Sequence, residues 1–283
     1  MSLVSLKYVL DEAMEKGCAV PAFDVVDHAS AEGVILAAEE QNKPVIIMVP
    51  EAALPLIDEE RYFPFLVNLA KNAKVPVALE LDHGQSFDVI MKAIHYGFSA
   101  VMIDGSSLTN EKNIETTKKI VEIAHAAGVS VEAEIGHVGG GEGSFEGSEV
   151  EESMYTKPED AKYFAEQTGV DALAIAFGTV HGVYKGTPKL DFDRLKKIRE
   201  TVNIPLVMHG GSGVAREDFV KAAEYGINKI NLFTEISMAA VAQSVAYAAK
   251  KENELHFAEM TLVAKKTVQS IASDYINLFR LNK

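Results

Sequence analysis

Residues 74–88 read KVPVALELDHGQSFD, and they hold the pattern that decides the fold. The apolar run Val77–Leu81 predicts a buried strand. It ends in Asp82 and His83, passes Gly84 and enters a helical pattern near Ser86. Side chains of a strand alternate between its two faces. Asp82 and His83 are therefore expected to point different ways and to serve one substrate from two sides. Two more histidines close similar runs, His181 in AFGTVHGVY and His209 in VMHGGSG. Three histidines from three strand ends suit a catalytic zinc, which takes three protein ligands and keeps one position open. Spacing alone leaves this unsettled, because no HExxH or paired-cysteine pattern accompanies it.

The same strand-then-helix pattern recurs along the chain. Apolar runs fall at Ala19–Val25, Val45–Val49, Val77–Leu81, Ala100–Ile103, Val129–Ile135, Ala172–Phe177, Leu206–Met208 and Lys229–Phe233. Amphipathic segments such as His28–Gln41, Phe87–His95, Asn113–Ala127, Lys157–Gln167, Asp191–Val202 and Arg216–Tyr225 lie between them. Apolar strands alternating with helices form a parallel sheet covered on both faces. Eight such units predict a closed (β/α)8 TIM barrel. A doubly wound open sheet is the alternative, but no GxGxxG follows the first strand. Nothing in the composition divides residues 1–283. One barrel domain is expected, with the barrel at about 19–250 and a helical extension at about 251–283. That tail reads as helices at Ile236–Lys251, Phe257–Thr267 and Ser270–Phe279, which suit a homodimer or homotetramer.

Composition narrows the chemistry. The formal net charge is −14. Nucleic acid and anionic membranes are therefore poor partners. An anionic small substrate stays open, since screening acts over about 8 Å and a few local cations suffice. Cys18 is the only cysteine, so no intrachain disulfide exists. It reads as inert packing. The N-terminus lacks a signal-peptide core, and Leu3, Leu6, Val9, Leu10, Ala13 and Met14 have helical spacing. No apolar run reaches membrane-spanning length, and the cytoplasm is the expected location.

Polar residues gather where the strands end: Asp24, Glu51, Asp82, His83, Asp104, Glu134, His181, His209, Asn231 and Thr234. The C-terminal ends of barrel strands are where active sites lie. Helix capping explains Ser86 and Ser106 but not three histidines. Of the other histidines, His28, His95, His125 and His256 read as structural. His137 begins a long Gly-, Ser- and Glu-rich segment, Gly136–Tyr155, and its role stays open. A segment of that length growing from the catalytic rim reads as a mobile flap. Gly210-Gly211-Ser212-Gly213 leaves strand seven, and Asn231–Thr234 leaves strand eight. Loops at these places commonly bind phosphate through backbone N–H groups at helix starts. Lys185 adds a point charge. Lys229, read as the start of strand eight, is expected at the far end of the barrel.

The stretches LDHGQSFD, MIDGS, VEAEIGHVGGGE, GTVHGVYKG, HGGSG and KINLFTE, in this order, closely resemble the class II, zinc-dependent ketose-bisphosphate aldolases. The matches run from Pro21 to Thr234. The resemblance implies zinc on His83, His181 and His209, with Asp82 and Glu142 as the proton-transfer residues. Asp104 and Glu134 match acidic residues beside the metal, sometimes a second metal site. Phosphate contacts would come from Gly182, Lys185, Gly210, Gly211, Ser212, Asn231, Leu232, Phe233 and Thr234. Carbonyls of Val180, Gly182 and Gly210 would hold a monovalent cation, Na+ or K+. The implied reaction is reversible cleavage of a ketose (bis)phosphate, of the fructose or tagatose type, to dihydroxyacetone phosphate and an aldehyde.

Two positions depart from the family pattern. Asp24 stands where members often have Asn, and Phe233 replaces a small or polar residue. The arginine that often holds the far phosphate has no match, because the tail after Thr234 carries only Arg280. The competing readings are a metal-dependent phosphosugar epimerase or isomerase on the same fold, and a barrel that binds phosphosugars without turnover.

Overall fold

The structure, a computed structural model, describes residues 2–139, 154–182, 188–252 and 254–279. Eight parallel strands close into a barrel in sequence order. They are β1 Val20–Asp24, β2 Val45–Pro50, β3 Val77–Gly84, β4 Ala100–Ile103, β5 Ser130–Ile135, β6 Ala172–Ile175, β7 Leu206–Met208 and β8 Ile227–Leu232. The TIM-barrel expectation holds. The helices are α1 Leu6–Lys16, α2 His28–Gln41, α3 Glu59–Asn72, α4 Phe87–Tyr96, α5 Asn110–Ala126, α6 Pro158–Thr168, α7 Phe192–Thr201, α8 Arg216–Glu224, α9 Thr234–Lys250 and α10 Phe257–Leu278.

Two buried layers follow from strand alternation. Outward residues such as Phe23, Ile47, Leu79, Val101 and Leu173 pack against the helices. Inward residues Ala22, Ile46, Met48, Ala78, Ala100, Ala172, Ala174 and Val207 fill the barrel's lower half, with Leu6, Val9, Leu10 and Ala13 of α1 packed beneath them. The N-terminal helix is thus the floor of the barrel. Ser5 caps it by accepting from the Tyr8 N–H, and Gly17 ends it at φ 60°. Higher in the barrel the inward positions turn polar: Glu80 and Asp82 on β3, Glu132 and Glu134 on β5, Lys229 and Asn231 on β8, all buried.

Three expectations need correction. The tail is not three helices, because Phe257–Leu278 runs unbroken. Its middle packs on α2, where a side chain at Gly33 would meet the Lys265 carbonyl at 2.8 Å. That packing overrides the weak helix formers Thr267 and Val268. Second, Lys229 is not at the far end. Strand β8 begins at Ile227, so Lys229 lies mid-strand and fully buried inside the barrel. Third, Asp82 and His83 do not face opposite ways, as described next. Among the described residues no helix is long and apolar enough to cross a membrane.

Candidate metal and phosphate site

The alternation of β3 breaks at its end. Leu81 pairs with Val101 but Gly84 with Ile103, so three steps on β3 face two on β4. This is a β-bulge, which re-aims side chains near a barrel rim. The extra residue is accommodated at His83, whose φ is 45°, uncommon for a residue with a Cβ. Gly84 follows because a Cβ there would lie 2.6 Å from the Met102 carbonyl. As a result Asp82 and His83 both look into the barrel mouth. Each has an atom within 4.8 Å of a nitrogen of His209.

His83, His181 and His209 converge. Their ring centroids are 4.9, 4.6 and 5.7 Å apart, and one nitrogen of each lies within 4.8 Å of the others. Two rings are held from behind. Nδ1 of His83 is 2.7 Å from Oδ2 of Asp104, and Nε2 of His209 is 2.9 Å from Oε1 of Glu132. Nδ1 of His209 then faces the mouth, 3.1 Å from Oε2 of Glu134. The buried Nε2 of His181 makes no hydrogen bond among the described residues. Three converging imidazoles, two of them backed by carboxylates on the opposite ring atom, form a donor set that fits a divalent cation. Nδ1 of His83 is taken by Asp104, so its ligating atom would be Nε2. Asp104 and Glu134 form a second cluster with His83, also within 4.8 Å.

The electrostatics follow the same geometry. Burial and the neighbouring His83 and His209 push His181 well below the usual imidazole range, so it stays a neutral lone-pair donor. Burial alone would lower His209, but hydrogen bonds and charge from Glu132 and Glu134 outweigh it and raise it. Without a cation, that pair of carboxylates favours an imidazolium. Burial would raise Asp104, yet its bonds to His83 and Ser106 hold it below the usual carboxylate range. Asp24 is raised well above that range by burial and by Asp82.

Sequence reasoning missed one layer. Beneath the histidines, the Lys229 ammonium lies 2.8 Å from both Oε2 of Glu80 and Oε2 of Glu132. All three side chains are 0 % exposed. Burial pushes Glu80 up to about 8, against the pull of Lys229. Glu132 is lowered: the charge of Lys229 and the bond to His209 overcome its desolvation. Lys229 is raised, since the two carboxylates outweigh its burial. It is a firmly charged ammonium, not a neutral amine nucleophile. The signal was present in SVEAEI and KIN, where charge or amide appears at every second position of an otherwise apolar strand.

Asp82 is fully buried, and the Asn231 amide nitrogen lies 3.4 and 3.3 Å from its two oxygens. Asn231 was expected on a phosphate. Its side chain reaches the aspartate, and the residue also lines a cavity with Asp24, His181, Gly182, Gly210, Gly211, Ser212, Leu232, Phe233 and Thr234. The two glycine-bearing turns are stitched together here. The Gly211 N–H donates to the Asn231 carbonyl at 3.3 Å, and the Glu235 N–H donates to Oγ of Ser212 at 3.3 Å. Gly210, at φ 67°, packs so closely on Val180 that a Cβ would sit 2.2 Å from its carbonyl oxygen. The 17-residue helix α9 starts at Thr234, so its N-terminal amides point toward this cavity. Glu142 and Lys185, together with most of the flap, lie outside the described residues. A second cavity of about 740 Å3 opens on the other side of His83 and His181, lined by Glu51, Asp104, Ser106, Glu134 and His137 among others.

The histidines read as structural keep to local contacts. His28 packs on Tyr62 and Phe65, His125 lies 2.8 Å from Asp171, and His256 caps α10. Cys18 is half-buried and raised by that burial, with no reactive setting.

A closed barrel with three histidines and a buried aspartate at its mouth, beside glycine-bearing turns at a helix start, has the build of an enzyme site that could hold a metal ion. The chain belongs to the class-II fructose-bisphosphate aldolase family, whose model matches residues 4–283. It is 44% identical over 245 residues to the fructose-bisphosphate aldolase of Geobacillus stearothermophilus, covering 84% of this chain and 83% of that one. Among solved structures, the YdjI aldolase of Escherichia coli K12 superposes with a TM-score of 0.87 at 35% identity, over 98% of this chain and 97% of that one. The fructose-bisphosphate aldolase of Campylobacter jejuni shares the fold, with a TM-score of 0.82 at 24% identity over 98% and 95%.

Proposed function

We propose that this chain catalyses reversible, zinc-dependent aldol cleavage of a ketose phosphate. The substrate class is fructose or tagatose 1,6-bisphosphate or a related sugar, and the products are dihydroxyacetone phosphate and an aldehyde such as glyceraldehyde 3-phosphate. The observation that carries the reading is the convergence of His83, His181 and His209 beside the buried Asp82. Zinc held by the three imidazoles would supply a Lewis acid for the charge that develops on the ketose oxygens.

The chain's own residues supply the rest. Asp82 takes the proton of the C4 hydroxyl, its carboxylate held by Asn231. As the C3–C4 bond breaks, C4 becomes the aldehyde carbon and the electron pair stays on C3. Glu142 returns a proton to C3, which completes dihydroxyacetone phosphate. Gly182, Lys185, Gly210–Ser212 and Asn231–Thr234 seat the near phosphate, and carbonyls of Val180, Gly182 and Gly210 hold the monovalent cation. Asp104 and Glu134 are positioned to steady the rings or to take a second ion. Homodimer or homotetramer assembly belongs to the same reading, supported by exposed Val241, Val245 and Phe257 on α9 and α10.

The test is a panel of ketose phosphates with zinc-loaded protein, reading triose phosphate release by a coupled assay. Cleavage abolished by a chelator and restored by zinc supports the reading. Interconversion of sugars without triose phosphate would instead favour the epimerase or isomerase chemistry.

A further inference from the structure

We propose that the cavity across His83 and His181 from the glycine turns is the acceptor subsite, that it takes an uncharged, hydroxyl-bearing aldehyde, and that Glu51 selects it. The proposal rests on the aldolase reading and deepens it by naming the class of the second fragment. With dihydroxyacetone phosphate on the side of the glycine turns, the aldehyde carbon meets it from the other side of the histidines. There a cavity of about 740 Å3 opens, a volume within the ordinary range of small-molecule sites.

The wall of this cavity is the wrong chemistry for a phosphate. Glu51, Asp104 and Glu134 line it, and no lysine or arginine does so among the described residues. Residues 140–153 lie outside the described residues, and their sequence carries Glu142, Glu146, Glu149, Glu151 and Glu152 but neither lysine nor arginine. A phosphate is held by donors and positive charge. A carboxylate only accepts hydrogen bonds, and like charges set against each other exclude the wrong partner. A hydroxyl group instead donates to a carboxylate and accepts from a neighbouring donor. Gln85, Ser106, Ser107 and His137 line the same cavity and supply such donors.

Of the three acidic residues, Glu51 is the one placed to meet the aldehyde. Asp104 is engaged with Nδ1 of His83 at 2.7 Å, and Glu134 lies 3.1 Å from Nδ1 of His209. Glu51 opens the short helical turn Glu51–Leu56 at the end of β2. Its Oε2 accepts from the Gln85 N–H at 2.6 Å. That bond ties the carboxylate to the turn just after His83, so its place follows that of the histidines. The carboxylate is then set to accept from a hydroxyl next to the reacting carbon.

The experiment runs the zinc-loaded full chain in the condensation direction. C3 of dihydroxyacetone phosphate loses a proton and bonds to the aldehyde carbon, whose oxygen gains a proton and becomes the C4 hydroxyl. The acceptors are both enantiomers of glyceraldehyde, D-erythrose and glyceraldehyde 3-phosphate. For each, kcat/KM is read from the consumption of dihydroxyacetone phosphate. The best uncharged acceptor should match or exceed glyceraldehyde 3-phosphate. Preference for the phosphorylated aldehyde would overturn the proposal and show that a cation reaches this subsite. Glu51→Gln keeps the shape and an acceptor for the Gln85 N–H but removes the charge. It should shift the ratio of uncharged to phosphorylated acceptor roughly 10-fold towards the phosphorylated one. A general loss of fold or of metal leaves that ratio alone, and an unchanged ratio would overturn the selection by Glu51. If Glu51→Gln does not fold, the wild-type panel decides by itself. Failure of the wild-type chain to join any of these acceptors, the phosphorylated one included, would instead overturn the aldolase reading.

Discussion

Asp82 is a carboxylate with no solvent contact and an amide from Asn231 against it, beside the nitrogens that would hold a metal. Its replacement should separate proton transfer from metal binding. Asp82→Ala is expected to lower the cleavage rate by about 10²–10⁴-fold, with metal content by elemental analysis at the wild-type level. Glu80 supports a different measurement. The folded chain holds its proton up to about 8, while the ordinary value is 4.5. Between those values the folded state binds more protons than the unfolded one, so this group's contribution to stability falls as pH rises. Melting curves from pH 5 to 8 should show that decline, and Glu80→Gln should flatten it. Asp82 and the three histidines were legible because each interrupts an apolar run at a strand end. Glu80, Glu132 and Lys229 were not. A charged residue in mid-strand shows its partner only once the closed barrel brings β3, β5 and β8 to one axis.

Among the elements, strand ends carry the information and helix ends carry less. The eight strand runs in the sequence match the observed strands to within a few residues, because near-continuous apolar character marks a strand covered on both faces. The bulge at the end of β3 was not legible. Alternation predicts opposite faces for Asp82 and His83, and only the pairing with β4 reveals the extra residue. Helix α3 has Pro64 inside it, which obscures its helical signal, while its buried face of Tyr62, Phe63, Leu66, Val67 and Ala70 holds it in place. The loop after β7 invites a test. Gly210→Ala would force a Cβ to within 2.2 Å of the Val180 carbonyl at a φ of 67°. It should destabilise the chain by about 1–3 kcal/mol, read by urea denaturation. If the cavity lined by Gly210 holds the near phosphate as proposed, the KM for substrate should rise as well.

For the whole molecule, net charge and the shape of the barrel set how substrate is held. At a formal charge of −14, anions are drawn only to local features such as the α9 N-terminus and the glycine turns. On the proposed reading these hold one phosphate. The larger cavity across the histidines is lined by Glu51, Asp104 and Glu134, which do not suit a second. We therefore expect fructose 1-phosphate to be cleaved with kcat/KM within about 10³-fold of the 1,6-bisphosphate, a gap below some 4 kcal/mol. A larger loss would reveal a strong second phosphate site, from a lysine of the tail or from another subunit.

Leu6, Val9, Leu10 and Ala13 of α1 have one further effect, on traffic. With the floor closed by that helix, the mouth is the one doorway among the described residues. If the chain cleaves a ketose phosphate as proposed, one molecule enters through it and two leave by it, so they depart in turn. On that reading the fragment held by the glycine turns and the histidines is the inner one and leaves after the outer. In product inhibition, the inner fragment should compete with the ketose for the empty enzyme, and the outer one should not.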